Sequence, residues 1–205
     1  MVKALYNEFA ENTYIIKEKK EAVIIDPGAN IDEIKDFISE SGLTVKFILL
    51  THGHFDHIFS INEVIEEFQC DVYCHELERD FMFDPNLNLS SITYKRITVQ
   101  DKSRVKTFKD GDVFKLQFAD ITVVHNPGHT RGSSSFAYKK VLFVGDTLFS
   151  DGVGRTDLPT GNQTVLESSI NKLLHMFSDN TLLYPGHGSN TTVLTLKNTN
   201  PYYIK

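Results

Sequence analysis

The stretch Thr51-His52-Gly53-His54-Phe55-Asp56-His57 decides how this sequence is interpreted. It places three imidazoles and one carboxylate within the six residues 52–57, directly after the apolar run Phe47-Ile48-Leu49-Leu50. A continuous apolar run of this kind is typical of a strand that is buried on both faces. Ionisable groups clustered after a buried strand have no packing role, and desolvating them is costly unless they are paired or bind a metal. We therefore interpret residues 52–57 as a metal-binding loop.

The spacing within this loop lets it serve two neighbouring metal positions. If the chain leaves the strand in extended form, His52 and His54 point the same way, because side chains alternate with a period of two. Gly53 between them permits a tight backbone path. Asp56 and His57 are predicted to open the following helix, so their side chains take other directions. One short segment can thus contribute to two adjacent metal ions, as two-metal hydrolases require.

More ligands are expected downstream, because two four-coordinate metals that share a bridging group need about seven or eight ligands. Three apolar strands each run into a loop that carries Gly-His, at His54, His129 and His187, and Asp146 follows another apolar run. Ligands of open α/β sheets bind outside the carboxyl ends of the strands, so these side chains are predicted to converge. The remaining histidines are interpreted as ordinary hydrogen-bonded or surface residues: His75, His125 and His175.

Composition and charge narrow the classes of protein to which the chain can belong. Its 205 residues are 40% hydrophobic and 23% charged, as in globular proteins, and we expect a single domain over residues 1–205. The formal net charge of -6 offers no basic surface for nucleic acid or an anionic membrane. We expect neither a signal peptide nor a transmembrane helix. Cys70 and Cys74 are too few for a disulfide framework, so we expect a cytoplasmic protein.

Strand and helix patterns follow one another along the chain in the order typical of α/β proteins. Apolar residues at helical spacing predict a helix over about residues 163–177, and the polar, turn-rich residues 84–103 predict a long surface loop. Two short hairpins, Tyr14–Asp26 and Phe136–Asp146, both end in an aspartate. They are explained either by two similar halves of a sandwich or by the general likeness of hairpins.

Taken together, these blocks resemble the metallo-β-lactamase superfamily, whose signature His-x-His-x-Asp-His stands here as His52-Gly53-His54-Phe55-Asp56-His57. The resemblance covers essentially the whole chain. It implies an α/β fold, the four-layer αβ/βα sandwich in which two mixed sheets pack face to face with helices outside. It also implies two metal sites, with ligands as follows: His52, His54 and His129 in the first, Asp56, His57 and His187 in the second, and Asp146 bridging both.

Within the superfamily the chain is similar to the short glyoxalase II-like hydrolases, in Gly145-Asp146-Thr147-Leu148-Phe149 and Gly154-Arg155-Thr156-Asp157-Leu158-Pro159. Full-length glyoxalase II enzymes carry an extra C-terminal helical region, which we expect to be missing because only residues 188–205 follow the last ligand. Arg155 occupies the place of a basic glutathione-contacting residue, so it is a candidate for substrate binding. Its other interpretation is a structural salt bridge. Asp157 stands where those enzymes have a tyrosine, which departs from the glutathione pattern.

The resemblance implies a binuclear hydrolase that cleaves a hydroxyacyl thioester, such as S-lactoylglutathione, by attack of a metal-bridging hydroxide. We expect two divalent metal ions, Zn²⁺ first, with iron or manganese as alternatives, and a small-molecule thioester as the partner. Asp56 and Asp146 are the candidate catalytic residues. The alternative function is that of a mono-iron persulfide dioxygenase, which would use His52, His129 and Asp146 as its triad. The segments Glu11-Asn12-Thr13-Tyr14 and Asp26-Pro27-Gly28 look more like the hydrolase group.

Overall fold

The computed structural model describes residues 1–117 and 119–203, so the last two residues of the predicted 1–205 domain lie outside the described part. The chain divides into two compact units, Met1–Phe108 and Lys109–Lys205. Each unit is built on one six-stranded mixed sheet. Within the residues that the structure describes, no helix has both the length and the apolar character needed to cross a membrane.

The first unit has the strand order β1-β2-β3-β4-β5-β6. The first three strands pair antiparallel, and β3 to β6 pair parallel. Parallel neighbours need crossover connections, and two helices provide them between β3 and β5. The elements are β1 Val2–Tyr6, β2 Asn12–Glu18, β3 Glu21–Ile25, α1 Ile31–Glu40, β4 Thr44–Leu49, α2 Ile61–Phe68, β5 Asp71–His75 and β6 Val105–Phe108, with 3-10 helices at Glu76–Met82, Ser90–Ile92 and Lys102–Arg104.

Apolar faces of α1 and α2 cover this sheet and form the core of the first unit. Ile34 of α1 and Ile61 of α2 are fully buried, in one cluster with Ile24 and Ile48 of the strands. The α1 helix begins where the Asn30 side chain accepts a hydrogen bond from the Asp32 amide at 2.8 Å, which is an ordinary N-cap. The packed helices leave the carboxyl ends of β3 and β4 side by side, where their following loops begin.

The second unit has the strand order β12-β11-β10-β9-β8-β7. Among the described residues of this unit, only β10 and β11 pair parallel, and the connection between them carries the long helix α3. The helix predicted over residues 163–177 is confirmed as α3. The elements are β7 Val113–Lys115, β8 Asp120–His125, β9 Ser134–Tyr138, β10 Val141–Gly145, α3 Gln163–Met176, β11 Leu182–Pro185, β12 Thr191–Thr192 and α4 Val193–Thr199.

The two units repeat one sequence of pairings. In the first, β1-β2-β3 pair antiparallel and β3 pairs parallel with β4 across α1; in the second, β8-β9-β10 pair antiparallel and β10 pairs parallel with β11 across α3. Asp26 follows β3 and Asp146 follows β10 at equivalent points. This shared topology favours the explanation that the two aspartate-ended hairpins belong to similar halves.

Residues 84–103 differ from the surface loop that their composition predicts. Asn88 and Ser90 are fully buried in this segment, and Ile97 is 1% exposed. The side chain of Asn88 donates to the carbonyls of Phe81 and Ile97, at 2.8 and 3.0 Å. Asn88 and Ser90 are therefore internal hydrogen-bonding groups that tie the segment to the first unit, a role that local composition does not reveal.

Candidate metal centre

The ligand loop of the first unit brings its histidines together. His52, His54 and His57 are 1%, 4% and 0% exposed, although all three follow directly from β4. His52 Nε2 lies 3.1 Å from His54 Nδ1, and the rings of His52 and His57 have centroids 4.1 Å apart. The prediction that His52 and His54 point the same way is confirmed. Nitrogen atoms converging at this separation are suited to a shared metal ion.

The prediction that Asp56 and His57 open a helix is wrong. Residues 55–60 form successive turns, in which the His57 amide donates to the His54 carbonyl at 3.1 Å, and α2 begins only at Ile61. The Asp56 side chain is 15% exposed, and its Oδ2 lies 3.9 Å from His57 Nε2. The turns thus place the Asp56 carboxylate next to the His57 imidazole. The two-metal interpretation needs these two side chains to lie together.

Asp26 holds the loop from behind. Its Oδ1 accepts from the Thr51 amide at 2.7 Å, and its Oδ2 accepts from the Thr51 hydroxyl at 2.6 Å and from His57 Nδ1 at 2.9 Å. Because a carboxylate accepts the His57 Nδ1 proton, a metal ion at this site would be bound through His57 Nε2. The Thr51 hydroxyl gives its proton to Asp26, so it accepts from His52 Nδ1 at 3.2 Å, which assigns coordination to His52 Nε2.

Glu11 is a second buried carboxylate behind the loop. It is fully buried, its Oε1 lies 4.0 Å from His57 Nδ1, and burial raises its pKa well above the ordinary value. Thr13 donates to its Oε2 at 3.2 Å. Asn7 connects the same region to the loop, because its Nδ2 donates to the Asp56 carbonyl at 2.9 Å. Sequence reasoning missed the role of these supports. The signals available were the segments Glu11-Asn12-Thr13-Tyr14 and Asp26-Pro27-Gly28, which indicated only a likeness to the hydrolase group.

The second unit gathers the three downstream candidates. Asp146 Oδ2 lies 3.7 Å from His129 Nε2 and 3.6 Å from His187 Nε2. Each of these residues follows a strand of the second sheet, as the sequence predicts. His129 Nδ1 donates to the Arg155 carbonyl at 2.7 Å, so its Nε2 is the nitrogen assigned to coordination. One carboxylate oxygen near two imidazole nitrogens is the arrangement expected of a bridging ligand.

Gly154 brings the backbone of the 154–155 segment against these ligands. A Cβ at this position would lie 1.8 Å from the Asp146 carbonyl oxygen and 3.1 Å from His129 Nδ1. A larger residue would therefore push apart the contact between the Arg155 carbonyl and His129. Glycine is required at position 154 because the backbone there lies so close to Asp146 and His129.

The guanidinium of Arg155 is engaged in an ion pair. Its Nε donates to Asp157 Oδ1 at 2.7 Å, and one terminal nitrogen donates to Asp157 Oδ2, also at 2.7 Å. Both side chains are exposed. The pair raises the pKa of Arg155 and lowers the pKa of Asp157 to about 2. The salt bridge that was one of the two interpretations of Arg155 is therefore observed. Arg155 acts on the ligand cluster through its backbone carbonyl.

The remaining histidines and the cysteines have structural roles. His75 Nδ1 accepts from the Leu77 amide at 3.2 Å, His125 Nε2 lies 3.0 Å from the Arg131 carbonyl, and the exposed His175 donates within α3. Their interpretation as hydrogen-bonded or surface residues is confirmed. Burial raises the pKa of the thiols to about 11 and about 12, so they stay protonated at neutral pH: Cys70 and Cys74, respectively.

The family model described as "Metallo-beta-lactamase superfamily" matches residues 6–187. The chain belongs to this superfamily. The predicted fold class is confirmed: a metallo-β-lactamase fold, α/β with two mixed sheets flanked by helices. Imidazole and carboxylate donors suit divalent metals such as zinc, iron and manganese, so the residues present fit the ions that the superfamily binds.

Characterised and uncharacterised members of the superfamily match along most of the chain. The probable metallo-hydrolase YqgX of Bacillus subtilis is 37% identical over 193 residues, which is 93% of this chain and 91% of that protein. The hydroxyacylglutathione hydrolase GloC of Haemophilus influenzae is 34% identical over 198 residues, 95% of this chain and 93% of that protein.

Two solved structures of the superfamily are also similar. The BLEG-1 B3 metallo-beta-lactamase matches with a TM-score of 0.91 and 37% identity, over 100% of both chains. The TTHA1623 protein, solved in a di-iron-bound form, matches with a TM-score of 0.86 and 30% identity, over 98% of this chain and 99% of that chain.

Proposed function

We propose that this protein is a binuclear metallo-hydrolase that cleaves a hydroxyacyl thioester such as S-lactoylglutathione. One observation carries the proposal: each unit brings imidazoles and a carboxylate close together, and the protein engages the Nδ1 atom of His57 in the first unit and of His129 in the second. Such anchoring orients the Nε2 atoms as metal ligands. The likeness to GloC, a hydroxyacylglutathione hydrolase by name, supports the thioester as substrate.

The proposed ligand set contains all seven candidate residues. Two divalent metal ions would be held as follows: His52, His54 and His129 for one, Asp56, His57 and His187 for the other, and Asp146 as the ligand shared by both. Zn²⁺ is the expected metal, and the di-iron form of TTHA1623 keeps iron among the candidates. When bound, such ions generate a hydroxide nucleophile at neutral pH and polarise the substrate carbonyl.

Asp56 is the proposed proton acceptor. Its partly exposed carboxylate lies beside His57 Nε2, where it can orient the attacking water and take its proton. The water oxygen then forms a bond to the thioester carbon, and the carbon–sulfur bond breaks. A thiol has a pKa of about 8.5, so the thiolate departs with little need for protonation. The site therefore needs no dedicated general acid, and the proton on Asp56 returns to solvent.

Arg155 remains the proposed substrate contact. Its exposed guanidinium lies on the same segment that contacts His129, and glutathione thioesters carry carboxylates that a guanidinium binds well. Binding would require the side chain to exchange Asp157 for the substrate. The small-molecule substrate, a cytoplasmic location and the absence of nucleic-acid or membrane partners are also proposals, and the net charge of -6 supports the last of these.

The test compares three activities of the purified full chain after metal analysis. S-lactoylglutathione hydrolysis, β-lactam hydrolysis and oxygen uptake with a persulfide are measured in parallel on samples loaded with zinc, iron or manganese. We expect about two metal ions per chain and hydrolysis of the thioester. One iron per chain with oxygen consumption would establish the dioxygenase alternative. Turnover of the β-lactam alone would instead extend the likeness to BLEG-1 from fold to substrate.

A further inference from the structure

Two buried residues outside the ligand set hold the ligand loop of the first unit by its backbone. We infer that Glu78 and Asn88 are positioning residues for metal binding, because they fix the peptide groups of Gly53 and Phe55. This inference rests on the proposed metal centre and adds residues that the superfamily signature does not contain. Together, Glu78 and Asn88 are named the loop clamp.

Glu78 supplies the first contact of the loop clamp. It is fully buried, and its Oε2 accepts the Gly53 amide hydrogen at 2.9 Å. A carboxylate is costly to bury, so its place beneath the ligand loop needs a compensating interaction. This bond fixes the orientation of the peptide group that connects His52 to Gly53.

The 3-10 helix Glu76–Met82, which carries Glu78, also packs against the ligand loop at Gly53. A Cβ on Gly53 would lie 2.6 Å from the Phe81 Cβ and 2.9 Å from the Met82 Cε. Gly53 therefore approaches this helix as closely as the backbone allows. This close approach brings the Gly53 amide within hydrogen-bonding distance of Glu78, so the contact depends on both residues.

Asn88 supplies the second contact of the loop clamp. Its backbone carbonyl accepts the Phe55 amide hydrogen at 2.8 Å. Its fully buried side chain donates to the Phe81 and Ile97 carbonyls, and its Oδ1 accepts from the Ser90 amide at 2.9 Å. These three side-chain bonds hold the carbonyl in place. The anchored amides at positions 53 and 55 alternate with the ligands at positions 52, 54 and 56.

The expected role of the loop clamp is to set the distance between the ligand nitrogens of His52 and His54. If an anchor is lost, the fold of the first unit persists, but the two imidazoles sample a wider range of separations. Substitution of the groups that orient metal ligands typically weakens metal affinity by about 10–100-fold. The loss should therefore appear in metal affinity and coordination geometry before it appears in stability.

The test uses Co²⁺ as the probe, with four variants of the full-length chain: Glu78→Asp, Glu78→Gln, Asn88→Ala and the control Glu18→Asp. Glu78→Asp keeps the charge but withdraws the acceptor from Gly53, whereas Glu78→Gln keeps an acceptor oxygen at the same reach. Glu18→Asp is the matched control, since Glu18 is also buried in the first unit but lies at the opposite end of β2 from the loop. Competition with a chromophoric chelator gives the Kd, the visible absorption reports coordination geometry, and thermal unfolding of the metal-free chains reports stability.

We expect Glu78→Asp to raise the Kd for Co²⁺ by about ten-fold or more and to change the visible spectrum. Glu78→Gln and Glu18→Asp should stay within about three-fold of the parent chain, because they leave the anchor in place. Asn88→Ala should weaken Co²⁺ binding in the same direction but by less, because its backbone carbonyl remains while the three side-chain bonds that hold this carbonyl are lost. The inference is overturned if Glu78→Asp binds Co²⁺ like the parent with an unchanged spectrum, or if Glu78→Gln is as weak as Glu78→Asp. Failure of the parent chain itself to bind Co²⁺ would instead overturn the proposed metal centre, and the clamp with it.

Discussion

Asp146 is the residue on which the proposed centre depends most. Its Oδ2 is the oxygen that approaches both His129 Nε2 and His187 Nε2, at 3.7 and 3.6 Å. Replacing it by Asn preserves the shape of the side chain but removes the negative charge that a bridging ligand supplies. The chain could fold normally and still lose the ability to hold two cations at this point.

We therefore predict that Asp146→Asn lowers the metal content and reduces kcat/KM for S-lactoylglutathione by about 100-fold or more. Metal analysis and initial-rate kinetics on the same samples measure both effects. Asp120→Asn is the control, because Asp120 belongs to the same unit and forms only an exposed ion pair with Lys115. Full activity and full metal content in Asp146→Asn would refute its bridging role.

Arg155 gives a second prediction for a single residue. If its guanidinium exchanges Asp157 for a substrate carboxylate, Arg155→Ala should raise the KM for S-lactoylglutathione about three-fold or more with kcat nearly unchanged, since exposed ion pairs are individually weak. Asp157→Asn should lower KM, because it releases the guanidinium from its ion pair. Steady-state kinetics separate the two constants. Equal KM values in all three proteins would leave Arg155 with a structural role only.

Secondary-structure elements were predictable where their determinants are local. The buried run that becomes β4 and the helical spacing that becomes α3 both depend on neighbouring residues, and both predictions are confirmed. The turns at residues 55–60 and the buried segment around Asn88 depend on partners far along the chain, such as the bond between Phe55 and Asn88. Hydrophobic periodicity carries no information about such contacts.

The N-terminus of α3 connects element stability to the second ligand cluster. Asn162 caps the helix by accepting the Val165 amide at 3.1 Å, and its own amide donates to the Gly128 carbonyl, next to His129, at 2.8 Å. Because the second bond uses the backbone, it survives substitution of the side chain. The cap can therefore be removed without removing the contact beside the ligand.

Accordingly, Asn162→Ala should lower the free energy of unfolding by about 1 kcal/mol, while Asn162→Asp should keep the cap and stay within about 0.3 kcal/mol of the parent. Urea unfolding of the metal-free chains measures the difference. Both variants should bind Co²⁺ with the parent affinity. An Asn162→Ala variant as stable as the parent would show that the side-chain cap contributes nothing to α3.

At the scale of the whole molecule, the sequence identifies candidate metal ligands, which stay a prediction, but not the residues that support them. All seven ligand candidates could be named because the chemistry of metal binding restricts them to His and Asp after strands. The supporting residues could not be named from the sequence, since a buried carboxylate or amide acquires its role from the groups that surround it in the fold. These residues are Asp26, Glu11, Glu78 and Asn88. The set of metal-binding side chains likewise indicates the type of reaction, while the acyl group of the substrate depends on contacts elsewhere in the fold.

The central claim is that the seven candidate ligands would hold two metal ions for thioester hydrolysis. The most direct test titrates the metal-free full-length chain with Zn²⁺ while S-lactoylglutathione hydrolysis is recorded. We predict that activity rises with added metal and reaches its plateau at about two equivalents per chain. A plateau at one equivalent, or no thioester hydrolysis at any metal content, would contradict the account.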